Sequence, residues 1–220
     1  MNLRVQAYPW HLIEVDQILI LLTMKAPVFL ILFLGISGVQ ALHAQKTALL
    51  IIDMQEFYFP GGKLQLDNPE EAVMNAGLLL EHFRLFEWPV YHISHQAEEG
   101  SAIHYFVQPK EGEPLLTKDR VNAFSGTDLE SMLRKDSVDR LVICGMQTHL
   151  CVEAAVRAAA DLGFECWLAS DACATRSLQF GEHIIPARQV HFSTLSTLQG
   201  TYAEVSNSQD IIRLLIPARE

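Results

Sequence analysis

Three side chains with catalytic chemistry follow three separate apolar runs of this 220-residue chain. Asp53 comes directly after the run 47–52, Lys118 follows the short run 115–117, and Cys151 lies beyond the run 140–144. A carboxylate can accept a proton, an ammonium can stabilise negative charge, and a thiolate is a strong nucleophile. The combination predicts nucleophilic catalysis in which Cys151 attacks a carbonyl carbon.

Cys151 is predicted at the beginning of a helix. A helix N-terminus presents unpaired N–H groups and the positive end of the helix dipole, and both favour a thiolate. A lysine nearby acts in the same direction, so the pattern predicts a lowered thiol pKa. Taken singly, each residue also has a structural explanation: a loop carboxylate, a surface amine and a small buried hydrophobe. The coincidence of all three favours a site.

The elements that would position these residues alternate between strand and helix. Apolar runs of strand length alternate with segments of helical periodicity, and two of these segments begin at sequences typical of capping boxes, 68–71 and 127–130. This order predicts an α/β fold with a Rossmann-like, doubly wound, mostly parallel sheet and helices on both faces. In such sheets, ligand sites lie at the carboxyl ends of the strands. The predicted strands are 47–52, 89–94, 115–117, 140–144, 164–169 and one near Val205, and the predicted helices are 69–86, one after 127, 148–162, 184–198 and 209–215.

The composition of the chain argues against some classes of binding partner. The formal net charge is −10 and no cluster of lysines or arginines occurs, which argues against nucleic acid and anionic membranes. A chain of this length with half of its residues apolar can form one well-packed domain. We therefore expect a small-molecule substrate.

The first 44 residues differ from the rest and are predicted to form an N-terminal extension ahead of a domain at 45–220. Read from Met24, the segment has a basic start at Lys25, an apolar core and small residues at Ala41 and Ala44, as in a signal peptide. This pattern predicts export, in a bacterium to the periplasm, with Met24 as the true start and no stable membrane association after cleavage. The alternatives are a retained anchor formed by 18–39, which is long enough to span a bilayer, and a cytoplasmic protein.

Four segments together resemble the isochorismatase-like cysteine hydrolases, the family that includes nicotinamidases and N-carbamoylsarcosine amidases. The resemblance extends from about Lys46 to Val205, and the four segments come in the family's order. They are 48–55 (ALLIIDMQ), 117–118 with 122–129 (TK and NAFSGTDL), 144–152 (CGMQTHLCV) and 170–175 (SDACAT).

The resemblance implies hydrolysis of a small amide or related C–N bond through a thioester. Asp53 would accept the thiol proton, Lys118 would hold the thiolate and the carboxylate by its charge, and Cys151 would attack the carbonyl. It also implies a homo-oligomer and no cofactor. The alternatives are an isochorismatase-type or thiol redox activity on the same fold, or a non-catalytic binding module.

The family pattern assigns further roles near the nucleophile. It implies a non-proline cis peptide between Met146 and Gln147, which would direct the Gln147 N–H, together with the N–H of Cys151, at a developing oxyanion. Gln55 and Tyr58 resemble positions that line the substrate site. Packing of the neighbouring aromatic residues against the domain is the other interpretation of this segment.

No metal is predicted. The nicotinamidase branch holds a metal with an Asp-x-His pair and further histidines, whereas this chain has His92, His95 and His104 without an acid at the matching place. This departure also argues against nicotinamide as the substrate.

The other three cysteines are interpreted as structural. Cys144 and Cys166 lie in apolar strands, and Cys173 is predicted in a turn. Because the chain is predicted to be exported, a disulfide between two of the four cysteines stays open. The substrate is not specified by the sequence.

Overall fold

A computed structural model describes residues 45–216. Its centre is a six-stranded sheet in the order β3-β2-β1-β4-β5-β8, and every neighbouring pair is parallel. A separate two-stranded antiparallel hairpin joins β6 to β7. The strands are β1 (Thr47–Ile52), β2 (Val90–His95), β3 (Leu115–Lys118), β4 (Arg140–Met146), β5 (Glu165–Ala174), β6 (Leu178–Phe180), β7 (His183–Ile185) and β8 (Glu204–Ser206). The helices are α1 (Pro69–Leu85), α2 (Leu129–Lys135), α3 (Glu153–Asp161), α4 (Ala187–Leu198) and α5 (Ser208–Leu215).

The sheet is covered on both faces, as the continuous apolar runs predict. All six residues of β1 are buried, and they alternate between two hydrophobic clusters, with Leu50 and Ile52 in one and Leu49 and Ile51 in the other. Helices α2 and α3 contribute to the first cluster, while α1 and α5 contribute to the second. The predicted α/β class with a doubly wound parallel sheet is confirmed.

The helix beginnings differ in detail from the predicted capping boxes. Pro69 occupies the first position of α1, but the Asn68 side chain makes no capping hydrogen bond, because this residue adopts a left-handed conformation with φ of 51°. The N-cap of α2 is Asp128 rather than Thr127, whose hydroxyl instead donates to Ala123 O and accepts from Leu129 N. Both predicted capping boxes are therefore wrong, although both helices form.

Two elements near the carboxyl end of the sheet were predicted with the wrong extent. Strand β5 continues to Ala174, so Cys173 lies in a strand and not in a turn. Helix α4 begins at Ala187, because Pro186 precedes it in an extended conformation and Ile184 belongs to the hairpin. The two hairpin strands have only three residues each, too few for a period to show, and this is why the sequence pattern did not predict them.

The hairpin carries apolar side chains into solvent. Phe180 is 80% exposed and Ile184 is 72% exposed.

Over residues 45–216, none of the helices combines the length and the apolar character needed to cross a bilayer. The predicted signal peptide, the Met24 start and the possible anchor at 18–39 lie outside the described residues.

Candidate active site

The sheet brings Asp53, Lys118 and Cys151 to one edge. Asp53 directly follows β1, and its N–H donates to Ile93 O of the neighbouring β2. Lys118 ends β3 opposite His95 of β2, and Cys151 lies in a short helical turn after β4. Since β3, β2, β1 and β4 are adjacent and parallel, their carboxyl ends converge. Residues from three separate parts of the chain therefore meet in one place.

The Lys118 ammonium lies between the acid and the thiol. Its Nζ is 2.7 Å from Asp53 Oδ2 and 3.3 Å from Cys151 Sγ. The side chains of Lys118 and Asp53 are completely buried, and Cys151 is 5% exposed. At these distances, and away from water, the ammonium interacts strongly with a charge on either partner.

The predicted lowering of the Cys151 pKa is wrong. Burial raises the pKa of the Cys151 thiol to about 12, and the nearby Asp53 charge adds to this, while Lys118 offsets only part of it. Burial also raises the pKa of Asp53, against the opposing effect of Lys118. Burial therefore favours the thiol over the thiolate, and a base that takes the proton would assist the reaction of Cys151.

The peptide bond between Met146 and Gln147 is cis. Residues Thr148–Val152 then form a π-helical turn ahead of α3, where a continuous α-helix from 148 was predicted. The Gln147 carbonyl accepts hydrogen bonds from the N–H groups of Leu150 and Val152, which folds this turn back over the end of β4. Cys151 is thereby held beside the β1 end.

A glycine permits the close approach of β4 to β1. Gly145 has a φ of 138°, and a Cβ at this position would lie 2.1 Å from Ile52 O. No side chain fits in that space, so only glycine allows the end of β4 to lie against the residue that precedes Asp53.

Gln55, predicted to bind substrate, is completely buried and already engaged. Its Oε1 accepts from His95 N at 2.7 Å, and its Nε2 donates to His95 O at 3.0 Å and to Ser101 O at 2.8 Å. Direct contact between Gln55 and substrate stays a prediction. The observed contacts instead assign Gln55 to holding the backbone of His95.

Tyr58, the other residue predicted to line the pocket, is buried at the same edge. Burial raises the pKa of its hydroxyl well above the ordinary value, and an interaction with the Gln147 side chain offsets part of that rise. The Phe57 ring packs edge-on against the Tyr58 ring. Tyr58 thus connects the segment after β1 with the residue that follows the cis bond.

Two histidines near the turn that contains Cys151 form hydrogen bonds with threonines. His149 Nδ1 lies 2.5 Å from Thr175 Oγ1, and His191 Nδ1 lies 3.0 Å from Thr148 Oγ1. Burial lowers the pKa of both histidines. A cavity of about 430 Å³ opens beside Thr175 and His191, at the end of β5.

Arg176 directly follows Thr175 in the chain, just after β5. Its charge contributes to the lowered pKa of His149, and it also offsets a part of the rise in the pKa of Tyr58. It is exposed, and no acidic side chain between residues 45 and 216 forms an ion pair with it.

One group of potential metal ligands occurs in the site. The donor atoms of Asp53, His95 and Cys151 all lie within 4.8 Å of one another. The Lys118 ammonium is within 3.3 Å of all three residues, so a cation already fills the space between them. His92 and His104 lie elsewhere: His92 bonds to Glu113, and His104 stacks on Phe59.

The remaining cysteines are structural in this fold. Cys144, Cys166 and Cys173 are buried, and all four cysteines are free thiols in the part of the chain that is described, which contains every cysteine. Burial raises the pKa of each of these three thiols.

Comparisons with known proteins agree with this geometry. A model of the isochorismatase domain family matches residues 47–200. The chain is 42% identical, over 178 residues, to the isochorismatase family protein YddQ of Bacillus subtilis (strain 168), covering 76% of this chain and 99% of YddQ. A crystal structure of an isochorismatase from Pseudomonas putida KT2440 superimposes with a TM-score of 0.72 at 32% identity, covering 74% of this chain and 89% of that one. Maleamate amidohydrolase of Pseudomonas putida is 26% identical over 206 residues, 82% of this chain and 92% of its own length.

The fold and the site define a hydrolase of the α/β class, with a cysteine at the carboxyl edge of a parallel sheet. This chain belongs to the isochorismatase family.

Sequence reasoning missed the part played by His95. Its Nδ1 lies 3.2 Å from Lys118 Nζ, a contact that only the pairing of β2 with β3 creates. The signal that could have revealed it was the position of His95 at the end of a predicted strand next to the one that ends at Lys118.

Proposed function

We propose that this protein hydrolyses the C–N bond of a small amide through a thioester on Cys151. The observation that carries the proposal is the placement of one buried ammonium, Lys118, in contact with both the Asp53 carboxylate and the Cys151 sulfur. A general base, a fixed positive charge and a nucleophile are the three groups that acyl transfer to cysteine requires.

The first half of the reaction transfers the acyl group. Asp53 takes the Cys151 proton as the sulfur attacks the carbonyl carbon, which forms the S–C bond and leaves negative charge on the oxygen. The N–H groups of Gln147 and Cys151 are proposed to stabilise this charge. Protonated Asp53 then gives its proton to the leaving nitrogen as the C–N bond breaks, and the amine departs.

The second half releases the acid. Asp53, again a carboxylate, accepts a proton from a water molecule that attacks the thioester carbonyl. The C–S bond breaks, and the Cys151 sulfur takes the proton that Asp53 accepted from water, so the site returns to its resting state. The Lys118 ammonium stabilises whichever partner, Asp53 or the Cys151 sulfur, is negative.

The raised pKa values favour this assignment. A carboxyl group whose pKa is raised by burial is a better proton acceptor than an ordinary aspartate, and it gives up the proton again at the leaving group. The same burial keeps Cys151 as a thiol until Asp53 takes its proton, which protects the sulfur from oxidants between turnovers.

Two buried acceptors favour an amide over a vinyl ether. Gln147 Oε1 has no hydrogen-bond partner among residues 45–216, and Asp53 Oδ1 has no donor there other than the Cys151 thiol. A primary amide brings two N–H donors, whereas an ether brings none. A buried acceptor without a partner costs free energy, so a substrate that supplies N–H groups is favoured at this site.

The test measures ammonia release from a panel of small primary amides. The panel contains pairs of amides that differ only in a carboxylate group, because the exposed Arg176 after β5 can bind an anion. We expect turnover of at least one amide, with a covalent acyl adduct on Cys151 that mass spectrometry detects after rapid acid quenching.

Cys151→Ala is the loss-of-function variant, and Cys166→Ala is its matched control, since Cys166 is also buried but lies in β5 away from the triad. The first should release no ammonia and the second should behave as the unmodified protein. Turnover that survives in Cys151→Ala would contradict the proposal. Cleavage of a vinyl ether, or peroxide-dependent thiol cycling without amide hydrolysis, would favour the alternative activities.

Self-association is a second part of the proposal. The exposed Phe180 and Ile184 of the β6–β7 hairpin are apolar side chains whose burial against another copy would be favourable. Light scattering of the purified protein, compared with Phe180→Ser, tests this: we expect a multimer that the substitution weakens.

Export likewise stays a prediction, which amino-terminal sequencing of the native protein tests.

A further inference from the structure

The Lys118 ammonium has a third contact besides the acid and the thiol. His95 Nδ1 lies 3.2 Å from Lys118 Nζ, compared with 2.7 Å for Asp53 Oδ2 and 3.3 Å for Cys151 Sγ. An ammonium has three N–H donors, so these three neighbours match its full hydrogen-bonding capacity. The Lys118 side chain is completely buried, and a buried charged donor without an acceptor costs free energy. The three acceptors therefore stabilise the ammonium in this position.

The contact determines which nitrogen of His95 carries the proton. An ammonium only donates, so Nδ1 must accept, and the hydrogen of the neutral ring is therefore on Nε2. A second proton on Nδ1 would place two cations in contact and remove the hydrogen bond.

The surrounding backbone holds His95 firmly. The Gln55 amide bonds both the N–H and the C=O of His95, which fixes the peptide groups on either side of its Cα. His95 and Lys118 are paired residues of β2 and β3, and Gln96 N donates to Lys118 O at 2.8 Å. A buried residue after β1 thus aims a histidine of β2 at a lysine of β3.

We propose that His95 is a positioning residue: its Nδ1 holds the Lys118 ammonium at the point where it touches both the Asp53 carboxylate and the Cys151 sulfur. Without this acceptor, the ammonium has one unpaired donor and is drawn away from the thiol toward water or the backbone. The inference rests on the proposed function only in taking Cys151 as the nucleophile. The identity of the substrate does not enter it.

The test compares His95→Ala with His95→Asn. The side-chain oxygen of asparagine can occupy nearly the position of Nδ1 and accept from Lys118, whereas alanine cannot. The readout is the rate at which iodoacetamide alkylates Cys151 at a series of alkaline pH values, followed by peptide mass spectrometry. We expect a fall of about tenfold in His95→Ala, as for one lost hydrogen bond to a charged group, and recovery to within about threefold in His95→Asn.

Internal and matched controls separate positioning from general loosening of the fold. Cys144, Cys166 and Cys173 are buried thiols in the same protein, and their alkylation should stay slow in both variants. His92→Asn alters a histidine of the same strand that bonds Glu113 and not Lys118, so it should leave Cys151 alkylation within about threefold of the unmodified rate. Equal rates in His95→Ala and the unmodified protein would overturn the inference, as would equal losses in the alanine and asparagine variants.

A second measurement examines the three acceptors directly. In Lys118→Ala the cation between them is removed, which leaves a carboxylate, an imidazole and a thiol within 4.8 Å of one another, a ligand set that suits Co²⁺ or Zn²⁺. We expect Lys118→Ala to bind Co²⁺ with a thiolate-to-cobalt charge-transfer absorption, and Lys118→Ala/His95→Ala to bind it at least about tenfold more weakly, as when a metal ligand is lost.

Both outcomes bear on the inference without any substrate. If Lys118→Ala gives no charge-transfer absorption, or if removal of His95 leaves Co²⁺ affinity unchanged, the three groups do not converge and the inference fails. Failure of the amide panel with successful cobalt binding would instead reject the proposed function and leave the role of His95 standing.

Discussion

Asp53 and Glu113 are both carboxylates that contact a cation, but they differ in their hydrogen bonds. Asp53 contacts Lys118 through one oxygen, whereas both oxygens of Glu113 accept hydrogen bonds. Arg84 contacts Glu113 through Nε at 2.7 Å and Nη2 at 2.9 Å, and His92 Nε2 and the Lys110 N–H each lie 2.9 Å from Glu113 Oε2. Asp53 Oδ2 bonds Lys118, while Oδ1 has no donor within residues 45–216 other than the Cys151 thiol. Both acids face a cation, yet only Glu113 has its hydrogen bonds complete.

The pKa values of the two acids move in opposite directions. Hydrogen bonds from Arg84, Lys110 and His92 outweigh burial and lower the pKa of Glu113 to about 2. Burial outweighs the single lysine at Asp53 and raises its pKa. The first carboxylate stays charged at neutral pH and connects the segment before β3 to α1 and β2. The second can take up and release a proton, which is what a catalytic base must do.

The largest effect is expected from Lys118→Met, which removes the cation and keeps the length of the side chain. Amide hydrolysis should fall by about a thousandfold or more, because the base, the charge and the nucleophile act as a unit. The free energy of unfolding should fall by about 3 kcal/mol, since Asp53 is left buried without a partner. Steady-state kinetics and urea unfolding measure the two effects.

The paired variant Asp53→Asn/Lys118→Met separates those two effects. Asn suits position 53 because Asp53 has a φ of 50°, a conformation that asparagine tolerates. With no charge left buried, stability should recover while activity stays lost. A double variant as unstable as Lys118→Met would show that the unpaired carboxylate is not the cause.

Glu113→Gln should destabilise the protein without disabling the site. Arg84 would lose its charged partner, and we expect the free energy of unfolding to drop by about 2 kcal/mol. Since none of the groups bound to Glu113 contacts Cys151 or Lys118, kcat should stay within about threefold of the unmodified value. A large loss of kcat at full stability would mean that the two carboxylates are coupled.

At low pH, the unmodified protein and Glu113→Gln should approach the same free energy of unfolding. The pKa of Glu113 is lowered when the protein folds, so its contribution is complete above the ordinary value of 4.5 and disappears as the pH falls through about 2. Urea unfolding at successive pH values from about 5 to about 2 should show the two stabilities converging. A gap that stays constant would contradict the assigned pKa.

The smallest effect is expected on the alkaline side, at Cys166. Its pKa is raised from 9.0 to about 12, so the unfolded chain loses the thiol proton first and stability falls as the pH rises above 9. One such group costs at most about 1.4 kcal/mol per pH unit. Unfolding in reducing buffer at pH 8 and pH 10 should show a shallower decline for Cys166→Ala than for the unmodified protein.

Local sequence was enough to predict the sheet and to place Asp53, Lys118 and Cys151 after predicted strands, while the roles of these residues stay predictions. The run 47–52 is typical of a strand covered on both faces, whereas the edge strand that ends at Lys118 is partly exposed. The direction of the Cys151 pKa could not be predicted, because it depends on how deeply four neighbouring strands bury the sulfur. The same is true of Gln55 and His95, whose hydrogen bonds join strands that are distant in sequence. The β6–β7 hairpin was missed because Leu178–Phe180 and His183–Ile185 are too short to show a period.

The origin of Asp53, Lys118 and Cys151 from three different strand ends has a consequence for folding. No contiguous fragment that stops before β4 contains Cys151, the proposed nucleophile, and none that begins after residue 53 contains Asp53, the proposed base. The sulfur can meet the carboxylate only when β1 and β4 are already side by side, with Ile52 opposite Gly145. Chains that are still folding therefore carry no assembled site, and the appearance of hydrolytic activity during refolding would report that the central strands have paired.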